Sequence, residues 1–537
     1  MSGSTVDRRY PKVPCLSGTN LYSDLSLTEF NMANATRSFR SAIMLTGITA
    51  AFSLALVACG SDDDSPSGMA GSGGSAGSGG STQTMNAMVR IVHASSTAPA
   101  VDLYAKGNSS PLASNIAYGS ATGYLELPEG TYDLEIRAAG ASPSDPPAFE
   151  VKGLSVMGGE KYSAIASGDL GSSDPSSQFR VIPLMEGFES PASGTVRARI
   201  VHASFDAPTV DLDVGNDDPM NPELSGLARF GETGEAGIEL PADTALQVGI
   251  AAGGATVTSF TTPALAEGTE LLIIAMGEVS DMPSDESGFS LLAVLPDSTT
   301  ARIKQNPFVY ALHASPNAPP VDIYAGEAEI FDNVPFGAMG RIQVPPSSYT
   351  LDFYGGVAGA TPKPAASPAA SAMTPELAAG ETYVAIATGL LGGMGAQAFQ
   401  LFPIAEGFGK PMMGEALLRV VHGSPDAPAV DIGTVSMIGT LDANPPIVNA
   451  AFPVATEEAG LPLPAGVGLT LGVAATGTSA TVAEFSVNFS EGQRVVAVAA
   501  GLLAPASGEP GFQLLVIDKT STSILEPWTV ASLSPNP

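Results

Sequence analysis

Cysteine is almost missing from this 537-residue chain, which has only Cys15 and Cys59. Two thiols cannot build a disulfide scaffold, and no cysteine zinc site can be assembled from them. Aromatics make up 6% and Trp528 is the lone tryptophan, which argues against a sugar-binding face of exposed rings. Basic residues are scarce, 22 Lys and Arg against 54 Asp and Glu, for a net charge of −32. Dropping residues 1–59 removes five basic and three acidic side chains and leaves 17 against 51, or −34. Such a surface repels phosphate backbones, so no nucleic-acid partner is expected, and acidity of this kind serves solubility first. The apolar runs LLIIAMG (271–277) and RVVAVAAGLL (494–503) are too short to span a bilayer and read as buried strands. Helical periodicity is absent, while Gly 60 and Pro 44 mark a chain of short strands and turns.

One segment is spelled four times: VRIVHASSTAPAVDLY (89–104), RARIVHASFDAPTVDLDV (197–214), FVYALHASPNAPPVDIYA (308–325) and LLRVVHGSPDAPAVDIGT (417–434). Its histidines, the only four in the chain, are spaced by 109, 111 and 109 residues. That period means four copies of one domain, each large enough to bury its own core. About seven short apolar segments per copy, rich in Val, Ile and Tyr, predict an all-β chain. The predicted fold is four tandem immunoglobulin-like antiparallel β-sandwich domains, without the Cys-Trp-Cys core. The expected units are 86–191, 192–303, 304–411 and 412–525, followed by a tail at 526–537. Units one and three share GEKYSAIASG and GETYVAIATG, while two and four share EGTELLIIAMG and EGQRVVAVAAG. The larger period is therefore a duplicated pair, with a repeating contact expected between odd and even neighbours. Short junctions at Ser190–Thr195, Asp297–Gln305 and Gly409–Glu415 favour that docking, and Ala358–Pro375 reads as an exposed loop.

The N-terminal stretch supplies an address. Residues 1–31 fit no targeting pattern and read as a non-native upstream extension; 32–58 carry Arg37 and Arg40 before an apolar run, as a secretory signal does. Leu56-Val57-Ala58-Cys59 resembles the lipobox of bacterial lipoproteins. The resemblance implies lipidation of Cys59, a membrane partner through that lipid, and a cell-envelope location, outer membrane or cell surface. The remaining 59–85 is an acidic, then Gly/Ser-rich tether. Its G-x-S-x-G (Gly73–Gly77) follows no strand and is not a nucleophile elbow.

Within the repeat, alternation puts Val89, Ile91 and His93 on one strand face, with the Ala-Pro pair turning the chain before Asp102. The repeated residues are His93, Ser95, Asp102; His202, Ser204, Asp211; His313, Ser315, Asp322; and His422, Ser424, Asp431. A Ser-His-Asp triad can be drawn in every copy, yet four centres in tandem with neither elbow nor oxyanion hole make poor catalysts. One His and one Asp per unit fall short of a zinc ligand set. Unit two adds a weak calcium candidate, Asp211, Asp213, Asp217 and Asp218, whose spacing misses that of a calcium loop. The reading with most weight is a polar staple that fixes a tight turn, with Asp accepting from the imidazole or from loop amides.

The string HASPNAPPVDIYA, followed by VPFGAMG and GETYVAIATG, resembles the family called domain of unknown function 4397. The resemblance implies tandem domains of envelope or secreted bacterial proteins and implies no activity. Unit one has Ser96-Thr97, and unit two Phe205 and Asp213, where the pattern differs; unit four has Gly423 and lacks the Tyr. The expected function is a non-catalytic, lipid-anchored envelope protein used for adhesion, binding or surface architecture. It would need no cofactor and would meet an envelope or extracellular protein or glycan. The alternatives are a secreted hydrolase using one His-Ser-Asp set, and a calcium- or carbohydrate-binding module.

Overall fold

A computed structural model describes residues 85–215, 218–359 and 362–537, all within the single unit Met32–Pro537. The signal, Cys59, the tether and Asp217 lie outside the described residues.

Unit one contains eight strands rather than seven: β1 (Asn86–His93), β2 (Val101–Ala105), β3 (Ala113–Ile116), β4 (Leu125–Pro128), β5 (Gly130–Ala138), β6 (Phe149–Val156), β7 (Lys161–Ser167) and β8 (Arg180–Met185). They form two four-stranded sheets, ordered β4-β1-β7-β8 and β3-β2-β5-β6. Pairing is antiparallel except between β1 and β7, which run parallel from Met88↔Lys161 to His93↔Ala166. The same parallel pair recurs between Thr195–His202 and Glu270–Met276, Phe308–His313 and Thr382–Thr388, and Glu415–His422 and Arg494–Ala500. The chain is thus four tandem β-sandwiches, with one parallel pair in each that the expected antiparallel pattern lacked. Among the described residues the helical structure is one 3-10 turn, Gly395–Gln397, and no helix is long and apolar enough to cross a membrane.

Alternation fills the sandwiches. Val89, Ile91, Val101, Leu103, Leu134 and Ile136 point between the two sheets of unit one. The opposite face of β1 is apolar as well, and it is buried by the neighbouring unit. Val92, Ala94, Ile165 and Leu184 of unit one pack with Val201, Leu272, Ile274 and Leu292 of unit two. Val384, Ile386 and Ile404 of unit three likewise join Val496, Val498 and Leu515 of unit four. Odd and even units therefore dock sheet to sheet.

Polar side chains fix that docking with a near two-fold exchange. Buried Arg90 donates from Nη1 to Leu295 O of unit two at 2.7 Å, and Arg199 of unit two donates from Nη1 to Met185 O of unit one. Arg419 repeats the contact to Ala405 O at 2.7 Å. Tyr310 stands at the fourth position, stacked on Trp528 with ring centroids 4.2 Å apart. The lone tryptophan is thereby part of an interdomain seam. Units two and three meet through Gln343, whose Oε1 accepts from Ser259 N at 2.9 Å and whose Nε2 donates to Thr258 Oγ1 at 3.1 Å.

Three stretches differ from expectation. The junction at 297–305 contains a strand, Thr300–Lys304, that extends the sheet of unit two, and the tail contributes Thr529–Leu533 to the sheet of unit four. The loop read at 358–375 carries the edge strand Ala370–Met373. In each case a short polar or Pro-flanked stretch completes a sheet edge, so local composition hides the pairing.

Candidate functional site

The repeated segment places its histidine at the end of β1 or its equivalent, inside the sandwich and 1–3% exposed. Each Nε2 meets the carbonyl of the proline six residues on: His93 to Pro99 at 3.0 Å, His202 to Pro208 at 2.9 Å, His313 to Pro319 at 3.1 Å and His422 to Pro428 at 3.1 Å. A carbonyl can only accept, so Nε2 carries the proton. In units one and three Nδ1 accepts the backbone N–H of Ser95 and Ser315, at 3.4 and 3.3 Å. Burial pulls all four imidazoles below their ordinary pKa, with the proline carbonyl opposing it. An unfolded chain then takes up protons first as pH falls below about 6.5, so these residues make stability decline from there downward.

The serines face away from the imidazoles. Ser95 Oγ donates to Gly168 O at 2.6 Å, Ser315 Oγ to Gly389 O at 2.7 Å and Ser424 Oγ to Gly501 O at 2.8 Å. Ser204 instead reaches Asp206 at 3.1 Å. All four are fully buried. No Ser–His pair of the kind a hydrolase needs is formed in these sets, because each hydroxyl proton goes to a backbone carbonyl or a carboxylate.

The aspartates do not meet the histidines either; three of the four tie two loops together. Asp102 accepts from Asn115 N at 2.7 Å and Gly140 N at 2.9 Å. Asp322 does so from Asn333 N at 2.8 Å and Val357 N at 3.0 Å, and Asp431 from Asn449 N at 2.7 Å and Gly477 N at 3.0 Å. Asp211 accepts from Gly226 N at 2.7 Å. The first donor is always left-handed, with φ of 53° at Asn115, 70° at Gly226, 50° at Asn333 and 53° at Asn449. Asn and Gly tolerate that conformation, which turns the N–H toward the carboxylate.

Three further repeated positions were not singled out from sequence. The residue four after the histidine (Thr97, Asp206, Asn317, Asp426) accepts from the loop after the parallel strand, at Leu170, Val279, Leu391 and Leu503. An aromatic ring stands edge-on to the imidazole in three units, Tyr118, Phe336 and Phe452, each 6.1 Å away. A glycine with positive φ ends each parallel strand: Gly168, Gly277, Gly389 and Gly501. A Cβ on Gly389 would lie 2.2 Å from Ala398 O and one on Gly501 2.1 Å from Gly511 O. Gly389→Ala is expected to cost about 3 kcal/mol or more, read as a lower denaturant midpoint, because strain and a backbone clash add.

One of the four calcium candidates of unit two, Asp217, lies outside the described residues. Asp211 is bound to Gly226 N and Asp218 accepts from Asn221 Nδ2 at 2.8 Å. The carboxylates that do gather are Asp322, Glu329 and Asp332 of unit three, with one oxygen of each within 4.8 Å of the others. Two of these three follow the motif by seven and ten residues on a different strand, a juxtaposition that spacing alone does not reveal.

Fold and motif together define a class: tandem β-sandwich repeats whose repeated polar residues are spent on turns, an arrangement that fits a structural or binding protein. The family described as domain of unknown function (DUF4397) matches at residues 87–213 and 307–433. The chain carries that domain in tandem at these two stretches. Each match opens on one copy of the histidine segment and closes on the next, so the two together hold all four histidines. No curated protein matches the chain. Among solved structures, the Bacillus anthracis TIE protein is similar at 11% identity and a TM-score of 0.12, over 74% of this chain. The chain spans about two thirds of that protein's length, 65%.

Proposed function

We propose that this is a non-catalytic, lipid-anchored cell-envelope protein whose paired sandwiches serve as a stalk for adhesion, binding or surface architecture. The observation that carries the reading is the use of every motif His, Ser and Asp in turn-fixing hydrogen bonds, while the sheet faces that remain apolar are buried between units. The signal-like residues 32–58 and Leu56–Cys59 support the anchor, and the acidic composition suits a solvated surface.

Protease shaving of intact cells, combined with mass detection of an acylated Cys59 peptide, tests anchoring and display together. The expected result is loss of unit peptides from the surface and an acyl mass on Cys59. An unmodified Cys59 in a protein released to the medium would contradict the anchor. The non-catalytic part fails if the purified protein hydrolyses ester, peptide or glycoside substrates and His313→Ala abolishes that turnover at unchanged stability.

A further inference from the structure

Units two and four hold larger cavities than unit three. Unit two encloses a cavity of about 210 Å³ between its sheets and unit four one of about 230 Å³, against about 40 Å³ in unit three. The cause is legible in the strand register. Leu134, Val248, Leu351 and Leu471 occupy equivalent rungs opposite the strand after the motif. Two residues earlier the odd units have Tyr132 and Tyr349, whose hydroxyls donate to Pro128 O and Pro345 O across the sandwich end. The even units have Leu246 and Leu469 there. In unit two, where Leu246 lines the cavity, the smaller side chain without the hydroxyl tether leaves that end less filled.

Both cavities are lined mainly by apolar side chains. The rows Leu271-Ile273-Ala275 and Val495-Ala497-Ala499 each line one wall. Apolar cavities of about 150 Å³ stay dry and accept apolar guests, so these larger ones suit a hydrocarbon better than water. Neither lining contains Lys or Arg, which disfavours a carboxylate head group.

A second feature singles out the same two units. His202 and His422 line the cavities, and their Nδ1 atoms have no partner among the described residues, whereas those of His93 and His313 accept serine amides. A buried acceptor of this kind is matched by one hydroxyl donor.

We infer that units two and four each bind a small, neutral, apolar molecule bearing a single hydroxyl. This rests on cavity size and lining and does not depend on the anchoring or stalk reading. Titration of the full chain with 1-octanol by calorimetry tests it. Two equivalents are expected, and one in Leu246→Tyr, with octanoate at least tenfold weaker. On the unsubstituted chain, octanol should move the imidazole resonances of His202 and His422 and leave those of His93 and His313 in place, a readout that does not require the variant to fold. Absence of saturable binding, equal binding of octanoate, or shifts at all four histidines would overturn the proposal.

Discussion

His313→Ala is expected to lower the stability of the chain by about 3–5 kcal/mol, the cost of emptying a ring-sized site in a packed core. The imidazole is 3% exposed, stands edge-on to Phe336, and supplies the donor for Pro319 O. Removing it leaves that carbonyl unpaired and frees the turn that delivers Asp322 to Asn333 and Val357. Denaturant unfolding followed by fluorescence and by circular dichroism checks this. A midpoint equal to that of the unsubstituted chain would show that the ring does not hold the turn. Asp322→Ala should act through the same bend, and its cost combined with His313→Ala should be less than additive, since the two residues share one structure.

The second large effect is expected at the seam between units three and four. Lys519, 3% exposed, donates to Glu406 at 2.9 Å and sits 4.3 Å from the Trp528 ring. Glu406→Ala strands a buried ammonium and is expected to cost about 3–5 kcal/mol. Burial lowers the Lys519 pKa to about 8 from an ordinary 10.5, with Glu406 opposing the shift. Between those values the unfolded chain holds the proton that the folded chain has released. Stability therefore rises with pH through this window, by about 1.4 kcal/mol per pH unit at most. Urea midpoints at pH 8.0 and 9.5 should show the rise, and Lys519→Met should flatten it. A midpoint that falls over this range in the unsubstituted chain would contradict the burial of a charged lysine.

Much of this was legible in the sequence because it is periodic. The four histidine segments gave the number of sandwiches, and alternation in VRIVHA placed His93 inward. The odd and even likeness announced the pairing. What stayed hidden depends on contacts between distant residues. The partners of Asp102 are 13 and 38 residues away, held by a left-handed Asn115 and by Gly140. The parallel pairing of Met88–His93 with Lys161–Ala166 crosses more than 70 residues and leaves no local mark. The edge strands Thr300–Lys304 and Thr529–Leu533 are only 5 residues each, so they read as a junction and a tail until a sheet edge is there to receive them. The acidic cluster of unit three stayed hidden for the same reason, since Asp322 and Asp332 meet across strands rather than along one.

The most direct test is a pH titration of the four imidazoles by heteronuclear magnetic resonance, simple to assign because the chain has no others. All four should be neutral Nε2–H tautomers at pH 7, should titrate below 6.5, and should charge only as the fold is lost. A single imidazole that titrates at its ordinary value in the intact protein, or that carries its proton on Nδ1, would mean that residue is exposed to solvent or substrate and is not holding its turn.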